Sequence, residues 1–276
     1  MILSKAMDES GGYYNYSYLL IDLMIKTTVD SNDKEILIFK EIDEMSDYAV
    51  NKLTEIAENA IKERGVFTVA LSGGKTPIDL YRKLAEKHTL PWNKTDVFMV
   101  DERFVPYGSK ENNFRMINEL LLLHVGIPSK NIHPVITSSA SAHDSASKYE
   151  NTLNTFLKKE SYSMPEFDLI LLGIGDDGHT ASLFPDTPSL KESSCLVIAV
   201  SLEDESKKDR ITLTFPVINN SRNIIFLASG INKASVIKEV IEDSNSQLPA
   251  SMVRPEQGKL IFLLDESAGS LLSKTV

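Results

Sequence analysis

Short runs dominated by apolar residues alternate with longer amphipathic stretches from residue 35 onward. The short runs predict strands over 36–39, 66–71, 96–100, 167–172, 224–228 and 260–264, with briefer ones over 132–135, 196–200 and 211–214. Met45, Ala49, Val50, Leu53, Ile56, Ala57, Ala60 and Ile61 recur at helical spacing and predict a helix over 43–62, closed by Gly65. Further helices are predicted over 77–87 (opened by Pro77), 113–123, 141–159, 233–242 and 266–272. Strands separated by helices predict a mainly parallel sheet with helices on both faces, an α/β three-layer sandwich. No repeat of solenoid period and no low-complexity linker divides the chain after residue 35, so 35–276 reads as a single α/β domain. Residues 1–34 read as an N-terminal extension with no assigned role. They hold Tyr13, Tyr14, Tyr16 and Tyr18 beside Gly11 and Gly12, then polar Asp30, Ser31, Asn32 and Asp33.

Composition narrows the classes of function. The 276 residues are 42% hydrophobic and 25% charged, an ordinary globular mixture. The formal net charge is −10, which argues against a general nucleic-acid binder and leaves room for a small anion held in a locally positive site. Cys195 is the single cysteine, so no internal disulfide can form. That fits a reducing, cytoplasmic setting. Its apolar neighbours Leu196, Val197, Ile198 and Val200 suggest a buried or half-buried structural thiol. The apolar stretch 18–25 is short and broken by Asp22, so neither a membrane span nor a signal peptide is expected.

Ligands of parallel sheets bind beyond the carboxyl ends of the strands, so the candidate chemistry lies in the loops that follow them. After 66–71 comes Ser72-Gly73-Gly74-Lys75-Thr76, then Pro77 and a helix. Glycines let the backbone approach an anion, a helix start offers unpaired N–H groups, and the hydroxyls of Ser72 and Thr76 add donors. This reads as a phosphate cradle, though not a nucleotide P-loop, whose earlier glycine falls at Val69. After 96–100 comes Asp101-Glu102-Arg103. Its carboxylates suit sugar hydroxyls or the orienting of a base, and the guanidinium suits phosphate.

The stretch Gly173-Ile174-Gly175-Asp176-Asp177-Gly178-His179-Thr180 satisfies G-x-G-x-x-G, but Asp176 and Asp177 would repel a pyrophosphate. It reads better as a catalytic loop in which His179 accepts a proton from water and Asp177 fixes its tautomer. A metal held by Asp176, Asp177 and His179 and a buried structural histidine are the rival readings. Arg210 and Lys233 add positive charge at the sheet ends.

Together these stretches resemble the glucosamine-6-phosphate isomerase/6-phosphogluconolactonase family, on its lactonase side. The likeness is carried in order by 71–77, Asp101-Glu102-Arg103-Phe104-Val105-Pro106, Asn113-Phe114-Arg115 and 173–185. Arg210-Ile211-Thr212-Leu213-Thr214, Gly230 with Lys233, and Leu248-Pro249-Ala250-Ser251 complete it. The resemblance implies a deaminase/lactonase-like fold and hydrolysis of 6-phosphoglucono-δ-lactone to 6-phosphogluconate, in the oxidative pentose phosphate pathway. It implies no metal and no organic cofactor. Joined to general-base chemistry, it assigns catalysis to His179 and Asp177. It places Ser72, Gly73, Gly74, Thr76, Asp101, Arg103, Arg210 and Lys233 around a phosphorylated sugar lactone, the cations on its phosphate. Neither nucleic acid nor membrane is an expected partner, and the sequence leaves the oligomeric state open.

A deaminase/isomerase acting on amino-sugar phosphates is the nearest alternative. Enzymes of that kind resemble one another in a Tyr after Asp-Glu and an acidic residue shortly after the Asp-Gly-His. This chain has Arg103 and the run Thr180-Ala181-Ser182-Leu183-Phe184-Pro185 at those places. A non-catalytic sugar-phosphate sensor is the other alternative, and it would have no need of His179 and Asp177.

Overall fold

Parallel strands need crossovers, and the order in which a chain makes them locates its ligand-binding edge. A computed structural model describes residues 25–31 (main chain), 34–157, 164–201 and 208–273. The tyrosine cluster of the N-terminal extension and the last two residues of the helix expected over 141–159 lie outside the described residues. Strand β1 (Ile25–Ser31) pairs antiparallel with β2 (Lys34–Phe39) at one border of the main sheet. The chain then forms α1 (Ile42–Arg64) and jumps to the middle of the sheet at β3 (Phe67–Leu71). Helix α2 (Ile78–Lys87) leads to β4 (Thr95–Met99), and β6 (Ile132–His133) adds the far border.

After α4 (Ala142–Leu157) the chain returns to the middle as β7 (Leu169–Gly173), beside β3. It then builds outward the other way through β10 (Asn223–Ala228) and β11 (Lys259–Asp265), which meets β2. The eight-stranded order is β1-β2-β11-β10-β7-β3-β4-β6, parallel throughout except at β1. The connections diverge between β3 and β7, so that pair marks the topological switch point where α/β sheets bind ligands.

Burial follows this order. All five positions of β3 are buried, as are Leu169 to Leu172 of β7. Successive strand residues point to opposite faces, so burial of every position means that both faces are covered, as the three-layer sandwich requires. Helix α1 packs its apolar face, including Met45, Ala49, Val50 and Leu53, over β2, β3 and β11. Asp43 and Glu44 in its first turn and Lys62 and Arg64 in its last oppose the helix dipole. Gly65 closes it at φ 81°, donating its N–H to Ile61 O.

Several expectations need correction. The segment 266–272 forms successive turns rather than a helix. The Asp265 carboxylate accepts from Ala268 N at 2.7 Å, as an N-cap does, and from Gly230 N, which ties the end of β11 to the loop after β10. Beyond one bond from Gly269 N to Asp265 O, the turns close through i→i+3 bonds (Ser270 N to Ser267 O, Leu272 N to Gly269 O). The strands expected over 196–200 and 211–214 do not extend the main sheet. They form β8 (Val197–Val200) and β9 (Arg210–Leu213), which join β5 (Asp101–Arg103) in a separate antiparallel sheet. Cys195 is exposed rather than buried, because it precedes β8 in the exposed stretch 193–195. Desolvation and then the carboxylates of Glu192 and Glu150 push its thiol up, so it is not an activated nucleophile.

Candidate active site

The loops after β3, β7 and β10 and the strand β5 enclose a cleft of about 480 Å³ at the switch point. Ser72, Gly73, Gly74, Thr76, Asp101, Arg103, His179 and Lys233 all line it. Asp177 reaches it through His179. Arg210 is not in its wall but lies beside Arg103, as its register partner across β5 and β9.

The histidine is held from one side. His179 Nδ1 lies 2.5 Å from Asp177 Oδ1, and the same oxygen accepts the His179 backbone N–H at 3.1 Å. Burial alone would raise the Asp177 carboxyl. The two bonds from His179 outweigh it and hold the carboxyl below the usual carboxylate range. An ionised Asp177 keeps the proton on Nδ1 and leaves the lone pair on Nε2. The ring rests against Phe184, with centroids 4.6 Å apart. Gly175 makes this placement possible, because a Cβ there would stand 2.0 Å from His179 Nδ1 and 2.6 Å from Asp177 Oδ1.

The cradle is built differently from the expectation. Ser72 Oγ donates to Leu171 O at 2.7 Å, so its hydroxyl stitches β3 to β7 across the switch point rather than standing ready for a ligand. Tyr81 of α2 donates to Ser72 O at 2.6 Å and fixes the same turn from behind. What the cradle presents is the backbone of Gly73 and Gly74, the Thr76 side chain and Lys75, which also lines the cleft. Lys75 lay in the loop singled out from sequence but was not picked as a site residue.

Asp101 and Glu102 diverge because adjacent strand residues face opposite ways. Asp101 faces the cleft. Its Oδ2 accepts from Ser182 Oγ at 2.6 Å and its Oδ1 from Asn113 Nδ2 at 3.3 Å. Glu102 turns away, fully buried, and caps α3 (Asn113–Leu120), accepting from the backbone N–H groups of Asn113, Phe114 and Arg103. Burial pushes its carboxyl up to about 7, against the opposing pull of those three bonds.

The raised value makes stability depend on pH. Between pH 4.5 and about 7 the unfolded chain ionises Glu102 before the folded one does, so stability falls as pH rises through that window. The contribution is about 3 kcal/mol across the window. Melting temperatures measured from pH 4.5 to 7.5 should decline more steeply in the parent protein than in Glu102→Gln. Parallel profiles would refute this role for Glu102.

Asn113 lines the cleft too, although the sequence marks it as a helix start and as part of the resemblance and assigns it no role in the site. Its Nδ2 donates to Asp101 O at 3.0 Å as well as to the Asp101 carboxylate, while its Oδ1 is buried without a partner. Flipping the amide would set oxygen against two acceptors, so Asp101 fixes its orientation. Gly73 leaves space for it, since a Cβ at that position would lie 1.9 Å from Asn113 Oδ1. The signal was the Asn112-Asn113 pair after Asp101-Glu102-Arg103, with Asn112 capping α3 by accepting from Arg115 N.

Positive charge lines the cleft at Lys75, Arg103 and Lys233. Arg103 donates to Glu111 O at 2.8 Å. Burial, then the facing Arg103, lowers the Arg210 guanidinium from its ordinary value. Lys233 closes the 3-10 turn Ile231–Lys233 before α6 (Ala234–Glu242) and pairs with Asp176 at 2.5 Å. Asp176 and Asp177 thus take different partners, Lys233 and His179. Among the described residues no group of three or more His, Cys, Asp or Glu side chains is arranged to hold a metal.

A family profile described as glucosamine-6-phosphate isomerases/6-phosphogluconolactonase matches residues 40–262. The chain is 43% identical over 240 residues to a 6-phosphogluconolactonase of Synechocystis sp., covering 86% of this chain and 97% of that protein. A second 6-phosphogluconolactonase, from Nostoc sp., is 39% identical over 252 residues, covering 91% of this chain and all of its own 100%. Among solved structures, 6-phosphogluconolactonase from Trypanosoma brucei superposes with a TM-score of 0.77 at 32% identity, covering 86% of this chain and 98% of that one.

Proposed function

The chain belongs to the glucosamine-6-phosphate isomerase/6-phosphogluconolactonase family, and from that premise we propose how it hydrolyses 6-phosphoglucono-δ-lactone to 6-phosphogluconate. The observation that carries the mechanism is the His179–Asp177 pair, set at the switch point in a cleft also lined by Lys75, Arg103 and Lys233. His179 Nε2 takes a proton from water as the oxygen attacks the lactone carbonyl carbon. Asp177 orients the ring and stabilises the imidazolium that forms. The tetrahedral oxyanion collapses, the bond from carbonyl carbon to ring oxygen breaks, and His179 returns the proton to that oxygen.

Arg103 and Lys233, with Arg210 beside Arg103, hold the phosphate. Thr76 and the Gly73-Gly74 backbone cradle it, and Asp101 accepts from sugar hydroxyls. Ser72 shapes the turn. The solitary Cys195 supports a reducing, cytoplasmic setting for such an enzyme. Among the described residues no helix is long and apolar enough to cross a membrane.

The direct test follows lactone disappearance above its spontaneous hydrolysis, with ammonia release from glucosamine 6-phosphate as the control. Ammonia release without lactone hydrolysis would overturn the reading. Arg103→Ala and Lys233→Ala are each expected to raise KM about 10–100-fold with kcat little changed, the cost of one charge-assisted contact present in ground and transition states alike. Unchanged KM in both variants would remove them from the phosphate site.

A further inference from the structure

Asp176 has no part in the proposed chemistry, yet it holds the cation assigned to the substrate. Its Oδ1 stands 2.5 Å from Lys233 Nζ and also accepts from Asn232 Nδ2 at 2.9 Å. The two partners are unequally placed. The Lys233 side chain is 17% exposed, whereas that of Asp176 is 68% exposed. The cleft wall therefore contains a largely buried lysine side chain whose counter-ion, also in the lining, is mostly exposed. The hydrogen bond from Lys233 keeps the Asp176 carboxyl below its ordinary value, so it is ionised at neutral pH.

We propose that Asp176 is a competing counter-ion, which occupies Lys233 in the ligand-free enzyme and yields that ammonium to the phosphate of the substrate. The proposal rests on the assignment of Lys233 to the phosphate. A phosphate oxygen bonded to the same ammonium comes within about 5 Å of the carboxylate, where like charges repel. The carboxylate can swing into water because most of it is already there, while Lys233 is held in the wall. A phosphate dianion can displace it, since it brings more charge than the carboxylate removes. A sugar acid without a phosphate sets no anion against Lys233, so this competition does not touch it. Asp176 thereby lowers affinity for phosphorylated ligands, and it assists departure of the phosphorylated product.

This sign separates competition from support. If Asp176 served only to position Lys233, removing its charge would weaken phosphate binding. Competition predicts the reverse. Inhibition by 6-phosphogluconate, inorganic phosphate and gluconate is to be measured in the parent enzyme, Asp176→Asn, Lys233→Gln and the double variant. Asp176→Asn is expected to tighten 6-phosphogluconate and inorganic phosphate about tenfold and to leave gluconate within about twofold. The gain should shrink in the Lys233→Gln background.

Weaker or unchanged phosphate inhibition in Asp176→Asn overturns the proposal, as does an equal gain in both backgrounds. In either case a weakened Lys233→Gln would leave the Lys233 assignment standing. Phosphate and 6-phosphogluconate inhibition unaltered in Lys233→Gln would overturn the assignment, and the proposal with it.

Discussion

Replacement of His179 by alanine is expected to lower kcat/KM for 6-phosphoglucono-δ-lactone roughly 10²–10⁴-fold in a protein that remains folded. Little of the fold depends on the ring. The side chain is 33% exposed, and its packing partner is Phe184. The bond that shapes the loop, Gly175 N to His179 O, is a backbone bond and survives truncation. A melting temperature close to that of the parent, with turnover lost, would therefore separate chemistry from stability. Asp177→Asn sharpens the test. An asparagine can donate to Nδ1, which would place the ring proton on Nε2 and deprive the water of its acceptor. Activity near that of the parent in folded His179→Ala would end the general-base assignment. Activity near that of the parent in Asp177→Asn would end the tautomer argument alone.

The second large effect is expected from one added methyl group. In Gly175→Ala the new Cβ would lie 2.0 Å from His179 Nδ1 and 2.6 Å from Asp177 Oδ1. Both atoms belong to partly exposed side chains, so the loop can keep its course while the imidazole and the carboxylate move apart. Misplacement of a catalytic group by about 1 Å can cost about 10²-fold, and a loss of that order is expected in kcat/KM. The stability change should stay under about 1 kcal/mol, since the contact is relieved by side chains with room to turn. KM for the phosphorylated substrate should change little, because the cations of the phosphate site are attached to other elements. Unchanged turnover in Gly175→Ala would mean that the paired geometry of His179 and Asp177 is not required.

The catalytic loop and the cradle were legible because glycines, a histidine and carboxylates follow strands whose apolar runs are unmistakable. The strands β3 and β7 announce themselves by hydrophobicity, and topology then brings their loops together. What was not legible depends on direction and on distant partners. Strand β5 carries three charged residues and no apolar alternation, so nothing local marks it as a strand. Its existence rests on pairing with β9 more than a hundred residues later. The opposite fates of Asp101 and Glu102 follow from that pairing, since a loop would leave both free to face one way. Ser72 and Thr76 are equally hydroxylic in sequence, but only the former lies beside an acceptor on β7, the Leu171 carbonyl. Asn113 became visible only when Gly73 was seen to make way for it. The turns over 266–272 were mistaken for a helix because their apolar spacing is helical. What periodicity does not register is that Gly269, with Ser267 and Ser270, weakens a stretch of only seven residues, which closes through i→i+3 turns after a single helical bond.

The parallel pairing of β2 with β11 joins segments from opposite ends of the described chain, with Ile36 beside Phe262. During synthesis β2 leaves the ribosome long before its partner exists, and closing so long a loop is entropically slow even for the finished chain. The strands that carry the cradle and the catalytic loop, β3 and β7, lie next to each other and can pair before that closure. The scaffold of the cleft thus has no need to wait for the last strand. Until β11 docks, however, β10 presents one open row of N–H and C=O groups, and so does β2. A newly made molecule is most vulnerable to edge-to-edge association at these two borders.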